Sequence, residues 1–217
     1  MRKSLSMSKE DGAVTIDGGE VIKAVTGLTS VDFQPAKEGR YPIPPIPKER
    51  VREYFWATPS AAERKAPFVH VVWIGVDNVI HVESDQVGDT MDMVEWIYGS
   101  ESMRELRRMN LEGIEKKGEV WAEFKKEFPP VANRLLKYET VVSELAEKHK
   151  VTLNMIYFGL NSIASFRIEA VIQPTQVASI SLARAVHLAL GALEEAFYKL
   201  RQHQKSLADA WGYLPGR

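Results

Sequence analysis

Two histidines and two carboxylates fall within sixteen residues of one another: His70, His81, Glu83 and Asp85. Imidazole nitrogens and carboxylate oxygens in such a group are ligands for a hard or borderline divalent metal, or partners in an acid–base pair. Their convergence depends on a turn. Phe68-Val-His-Val-Val-Trp-Ile74 and Val79-Ile-His-Val-Glu83 read as the strands of a β-hairpin around Gly75-Val-Asp-Asn78. A turn of two or four residues puts His70, Val72, Ile74, His81, Glu83 and Asp85 on one face, whereas an odd turn separates His70 from His81. The competing use is structural, with each histidine paired to a nearby carboxylate at a sheet edge.

Arg104, Arg107 and Arg108 stand at i, i+3 and i+4, so on a helix starting at Ser102 they form one guanidinium ridge. Such a ridge grips phosphates bidentately or pairs with carboxylates of another surface. The lysines that follow, Lys116, Lys117, Lys125 and Lys126, are interleaved with glutamates, which is the pattern of a solvated helix carrying its own ion pairs. His149 lies between two lysines near a helix C-terminus, where the dipole favours an imidazolium, and His187 shares a helix with Arg184. Neither neighbours a Ser or Cys nucleophile signature. Gly18-Gly19 and the other glycines fit no phosphate loop or dinucleotide fingerprint, so no motif implies a cofactor.

Composition narrows the classes further. The 217 residues are 45% apolar and 26% charged, too apolar for intrinsic disorder, and the absence of cysteine excludes disulfides and Cys-ligated zinc or iron–sulfur sites. The 28 basic and 29 acidic residues nearly cancel, yet they are segregated. No Lys or Arg occurs between Lys65 and Arg104, while Asp77, Glu83, Asp85, Asp89, Asp92 and Glu95 fall in that interval. An acidic block and a basic ridge on one chain suit head-to-tail association.

The elements that would position these groups read as follows. Residues 1–47 form an extended N-terminal arm, whose one periodic piece, Ala13 to Val25, is expected to be a hairpin turning at Asp17-Gly18-Gly19. Tyr41-Pro-Ile-Pro-Pro-Ile-Pro47 lies near polyproline II and acts as a stiff strap, or as a ligand for a partner's groove. Residues 48–210 form the helical core, with the hairpin at about 68–83, and 211–217 form a tail. Lys48 to Ala57 is expected to be a short amphipathic turn set. From Asp89 onward the pattern reads as helical: Pro129-Pro130 opens a long helix to about Lys150, and Thr152 caps an apolar helix to Ile172. The longest uncharged stretch, Val151 to Phe166, is short and polar for a membrane span.

A last helix, Thr175 to Ala210, carries a bulky stripe of Leu182, Val186, Leu190, Leu193, Phe197, Leu200 and Leu207. Beside it runs a small-residue stripe of Ala178, Ser181, Ala185, Ala189, Ala192 and Ala196. The expected fold is therefore mainly α: a multi-helix bundle with one early β-hairpin and an extended Pro-rich N-terminal arm.

The role these features favour is a non-catalytic structural subunit of a larger homo- or hetero-oligomeric assembly, of the filament, coat or nucleoprotein kind. Its contacts would be Tyr41, Pro42, Pro44 and Pro45 of the arm, Ala178, Ala185 and Ala192 of the last helix, and Trp211 of the tail. Other copies of the chain are the favoured partner. Nucleic acid would engage the arginine ridge, but neutral balance argues against extensive phosphate contact. Two alternatives stand beside it: an enzyme with a metal or acid–base site on the hairpin, and a soluble adaptor working through the Pro-rich segment. The polar N-terminus carries no secretory signal, so a cytoplasmic, intracellular or virion location is expected.

Overall fold

The structure, a computed structural model, describes residues 15–36, 48–57, 69–84, 87–89, 122, 126–127, 129–160 and 164–210. The expected mainly-α bundle is not what forms. The described chain is an α/β mixture built on one antiparallel sheet, with strands β1 (Phe33–Pro35), β2 (Val51–Ala57), β3 (Val69–Gly75), β4 (Ile80–Ser84), β5 (Val87–Asp89), β6 (Thr152–Leu160) and β7 (Ala164–Ile172). The order across the sheet is β1-β2-β3-β4-β7-β6, and β5 follows β4 along the same edge of β7. Glu83 faces Glu169 and Val87 faces Phe166, so four steps along β4–β5 span three along β7.

The apolar segment after Thr152 is the main correction. It is a hairpin, β6–β7, and its side chains alternate with a period of two: Phe166, Ile168, Ala170 and Ile172 face one way, Arg167, Glu169 and Val171 the other. A helix would have spread Arg167 and Glu169 about 200° apart around its axis, leaving one of them in its apolar flank; a strand puts both on one face. The N-terminal correction is similar. Asp17 does not turn a hairpin; its side chain accepts a hydrogen bond from the Glu20 amide at 3.1 Å and caps helix α1 (Gly18–Thr29). Ile16, Val21 and Val25 then join the main core, so this part of the expected arm is folded into the body. The expected turn set at Lys48 to Ala57 is a 3₁₀ turn, Lys48–Arg50, leading straight into β2.

Helix α2 (Pro129–His149) forms where Pro129-Pro130 places it. The expected single last helix is two: α3 (Pro174–Ile180) and α4 (Leu182–Ala210), bent by 115° at Ser181, whose φ of 74° lies in the left-handed region. No single described helix is long and apolar enough to cross a membrane.

Helices α1, α2 and α4 cover one face of the sheet. The central one, α4, packs against β7, α1 and α2, and its bulky residues Val186, Leu190, Leu193, Phe197 and Leu200 are buried with Val72, Ile74, Ile80, Val82 and Phe166. Its small residues Ala185, Ala189, Ala192 and Ala196 are equally buried, where they allow close approach of neighbouring backbones. Ala185 and Ala192 are thus part of this chain's own core; Ala178, on α3, is exposed. Tyr41, Pro42, Pro44, Pro45 and Trp211 lie outside the described residues.

Candidate functional site

The β3–β4 register decides which hairpin residues meet. Ile74 pairs with Ile80 and Trp73 with His81, leaving five residues, 75–79, in the connection. The turn is odd. It closes through Gly75 N–H to the Val79 carbonyl (2.9 Å) and Asn78 N–H to the Gly75 carbonyl (3.0 Å), with Asn78 left-handed at φ 61°. Val72 and Ile74 therefore join the helix-covered core, and His81 and Glu83 share the opposite face with Trp73. His70 lies next to a register irregularity between Val69 and Val71. Asp85, like Arg104, Arg107 and Arg108, lies outside the described residues.

On this second face a polar row crosses four strands. The Trp73 ring stacks on the His81 imidazole, centroids 3.6 Å apart and planes 4° from parallel, as directly opposed cross-strand partners can. Trp73 Nε1–H donates to Glu83 Oε1 at 3.0 Å, and Arg167 Nη1 donates to Glu83 Oε2 at 3.1 Å. His81 Nδ1 lies 2.5 Å from Glu169 Oε1, and Asn154 Nδ2 donates to Glu169 Oε2 at 3.2 Å. Glu83 and Glu169 are themselves directly opposed across β4 and β7. Both carboxyl groups are nearly inaccessible, so each needs close partners: Glu83 takes Arg167 and Trp73, and Glu169 takes His81 and Asn154. Burial pushes the Glu83 carboxyl above the ordinary carboxylate range; Arg167 counters this and the facing Glu169 adds to it.

A side-chain hydrogen bond continues the β4–β7 contact beyond Glu83 and Glu169. Buried Ser84, the last residue of β4, offers its hydroxyl oxygen to the Ile168 amide at 2.9 Å, supplying an acceptor where the ladder is interrupted. Ser84→Ala should therefore lower stability by about 1–3 kcal/mol, because a buried amide on a central strand is left unsatisfied. Urea unfolding measures it, and Ser84→Thr, which keeps the oxygen, should recover part of the loss.

Of the sequence-derived site residues, the structure brings His81 and Glu83 to one face, but their partners Glu169 and Arg167, and the Asn154 that donates to Glu169, come from the segment expected to be helical. Among the described residues, no three His, Asp or Glu side chains converge as a metal's ligands would. The one signal for the missing partners was the two-residue spacing of Arg167 and Glu169 in an otherwise uncharged run.

A second charged cluster joins α2 to α4. Lys148 Nζ donates to both oxygens of Glu195 at 2.9 Å, His149 Nε2 lies 2.6 Å from Glu195 Oε2, and Lys199 Nζ 3.2 Å from Oε1. The hydrogen bond from Lys148, then those from His149 and Lys199, lower the Glu195 pKa to about 2. A carboxylate depressed on folding stabilises above its unfolded pKa, and that contribution is lost as pH falls from the ordinary value near 4.5 toward 2. Glu195→Gln should cost about 0.5–1 kcal/mol at pH 7, in keeping with its surface position, and nothing near pH 2. Paired denaturant titrations at the two pH values test this. His187 and Arg184, in contrast, are both exposed on α4.

The polar row ends on β6, the outermost strand on this side among the described residues. Thr152-Leu-Asn-Met-Ile-Tyr-Phe-Gly-Leu160 contains no charge and no proline, and among the described residues it pairs with β7 alone. The opposite edge, β1, has only three residues, one of them Pro35. Comparison with known protein families, with curated proteins and with solved structures returned no match.

Proposed function

We propose that this chain is a non-catalytic structural subunit of an oligomeric assembly. The observation that carries the reading is β6. Among the described residues β6 pairs on one side only, and native proteins commonly blunt long outer strands with Lys, Pro, short length or bulges. β6 has nine residues and none of the charges or prolines; its one irregularity, between Tyr157 and Gly159, leaves Thr152 to Tyr157 in regular register. Light scattering on the purified chain tests the reading. A mass above 24.5 kDa at micromolar concentration is expected, and a monomer across the accessible range would overturn it.

A second reading, acid–base chemistry at the hairpin, has one supporting observation: Glu169 bonded to His81 Nδ1 fixes the orientation of the imidazole and its other nitrogen. Metal analysis of the purified protein, and any activity found being unchanged in His81→Ala, would dispose of it.

A further inference from the structure

We infer that Ser181 is a hinge through which two copies of this chain exchange α4: α3 and α4 join into one continuous helix, and each α4 takes on the partner's sheet the place it holds on its own. The inference rests on the assembly reading and names the exchange that builds the pair; β6 has no part in it. The backbone at Ser181 carries the argument. Its φ of 74° and ψ of 152° fall in a region that glycine occupies freely and that a residue with a Cβ enters only under strain. Both helical ladders nevertheless reach it: the Ser181 amide donates to the Val177 carbonyl at 3.2 Å, and the Ser181 carbonyl accepts from the Ala185 amide at 3.0 Å. A single pair of dihedrals therefore separates two helices from one. Turning it to helical values removes the strain and lets the amides of Leu182, Ala183 and Arg184 reach the carbonyls of Ala178, Ser179 and Ile180. The sequence already suits that helix, since the small stripe Ala178, Ser181, Ala185 runs through the bend at steps of three and four.

The straight form cannot pack on its own sheet. β7 is held to its last residue, with Ile172 opposite Ile80, and α3 begins two residues later; at the other end Val186, Leu190 and Leu193 are locked in the core. The 115° bend reconciles these two anchors, so a straight α3–α4 rod carries α4 away from its own β7. A second copy supplies the missing seat. In a reciprocal exchange the packing of α4 on β7, α1 and α2 is made again with the partner's elements, so the interface is the native core and needs no exposed face. The element that gives way is weakly held: no residue of α3 is buried, and Ile180 is 41% exposed.

The test uses the full chain and, in its first arm, no substitution. Unlabelled and heavy-isotope chains are mixed, unfolded in urea, refolded together and separated by size. A carbodiimide then joins Lys148 on α2 to Glu195 on α4 by an amide bond, since the ammonium and carboxylate already lie 2.9 Å apart. In an exchanged pair that bond links two chains, so about half of the joined Lys148–Glu195 peptides from the dimer fraction should carry mixed labels. In the second arm, Ser181→Gly, which relaxes the bend and weakens the continuous helix, should lower the association constant at least about tenfold. Ser181→Ala, a better helix former that gains nothing at the bend, should raise it about fivefold. Far-UV circular dichroism checks that both variants are folded. An oligomeric wild type whose joined peptides carry one label only would overturn this inference and leave the assembly reading standing. A wild-type monomer across the accessible concentrations would overturn both.

Discussion

Replacing Arg167 by Met lowers the stability of this protein by about 3–5 kcal/mol at neutral pH, the cost of stranding a buried charge. Glu83 is 2% exposed and accepts from Arg167 Nη1 and Trp73 Nε1; without the guanidinium, one hydrogen bond remains and the facing Glu169 is still directly opposite. The size of the deficit depends on pH, and its sign follows from Glu83. Burial already raises that carboxyl's pKa in the folded state, and loss of Arg167 raises it further. The folded state then holds a proton that the unfolded state releases above about 4.5, so stability increases as pH falls through the raised value. The deficit of Arg167→Met should therefore narrow on acidification. At neutral pH, Glu83→Gln/Arg167→Met should recover most of the loss, since a neutral amide needs no cation. Urea unfolding of the three variants at pH 7 and pH 5 measures all of this. A deficit that stays constant with pH would locate the loss in packing rather than in the stranded carboxylate.

The second large effect lies on the other face of the same strand. Phe166 is fully buried, and its ring sits 5.8 Å from that of Tyr138 on α2, tilted by 41°. It pairs with Val87 on one side and Tyr157 on the other, and its side chain fills the space between β7 and α2. Phe166→Ala removes that side chain from a packed interior and should cost about 3–5 kcal/mol, more than the transfer energy of the ring alone, because strands paired on both sides cannot collapse into the void. Phe166→Leu, which keeps much of the volume, should cost less than about 1.5 kcal/mol. Thermal unfolding of both variants decides it; near-equal losses would mean that the site relaxes freely.

These two neighbours in sequence also show why half of the fold was legible and half was not. The hairpin β3–β4 was readable because its two apolar runs flank Gly75-Val-Asp-Asn78, and α2 because Pro129-Pro130 opens a long amphipathic stretch. The segment from Val151 to Ile172 carries almost no charge, and a continuous apolar run hides its period. Arg167 and Glu169 were the only charged markers in it, two residues apart. Asp17 was misread for the opposite reason: Asp-Gly-Gly is a hairpin signal locally, but Val21 and Val25 one helical turn apart, with Glu20 three residues after Asp17, make it a cap.

At the candidate site, sequence reading reached His81 and Glu83 and missed what they bind. Their partners stand on β7 and β6, and a pairing between β4 and β7 leaves no trace in local pattern. His70 drops out of the group because five residues in the turn, rather than four, reverse the phase of one strand against the other.

The sheet joins two parts made in different ways. β3 pairs with β4 and β6 with β7 across short connections, while the β4–β7 pairing brings together residues as far apart as Ile80 and Ile172, 92 positions along the chain. Local hairpins close in about 1–10 µs, whereas the long closure must first overcome its entropy. Refolding therefore has a natural order, with two preformed halves and one late seam. That seam is where the opposed glutamates meet, so the rate of its closure depends on Arg167 and His81 arriving with them. Because the entropy of closure grows only logarithmically, doubling the length of chain between the halves costs about 0.6 kcal/mol.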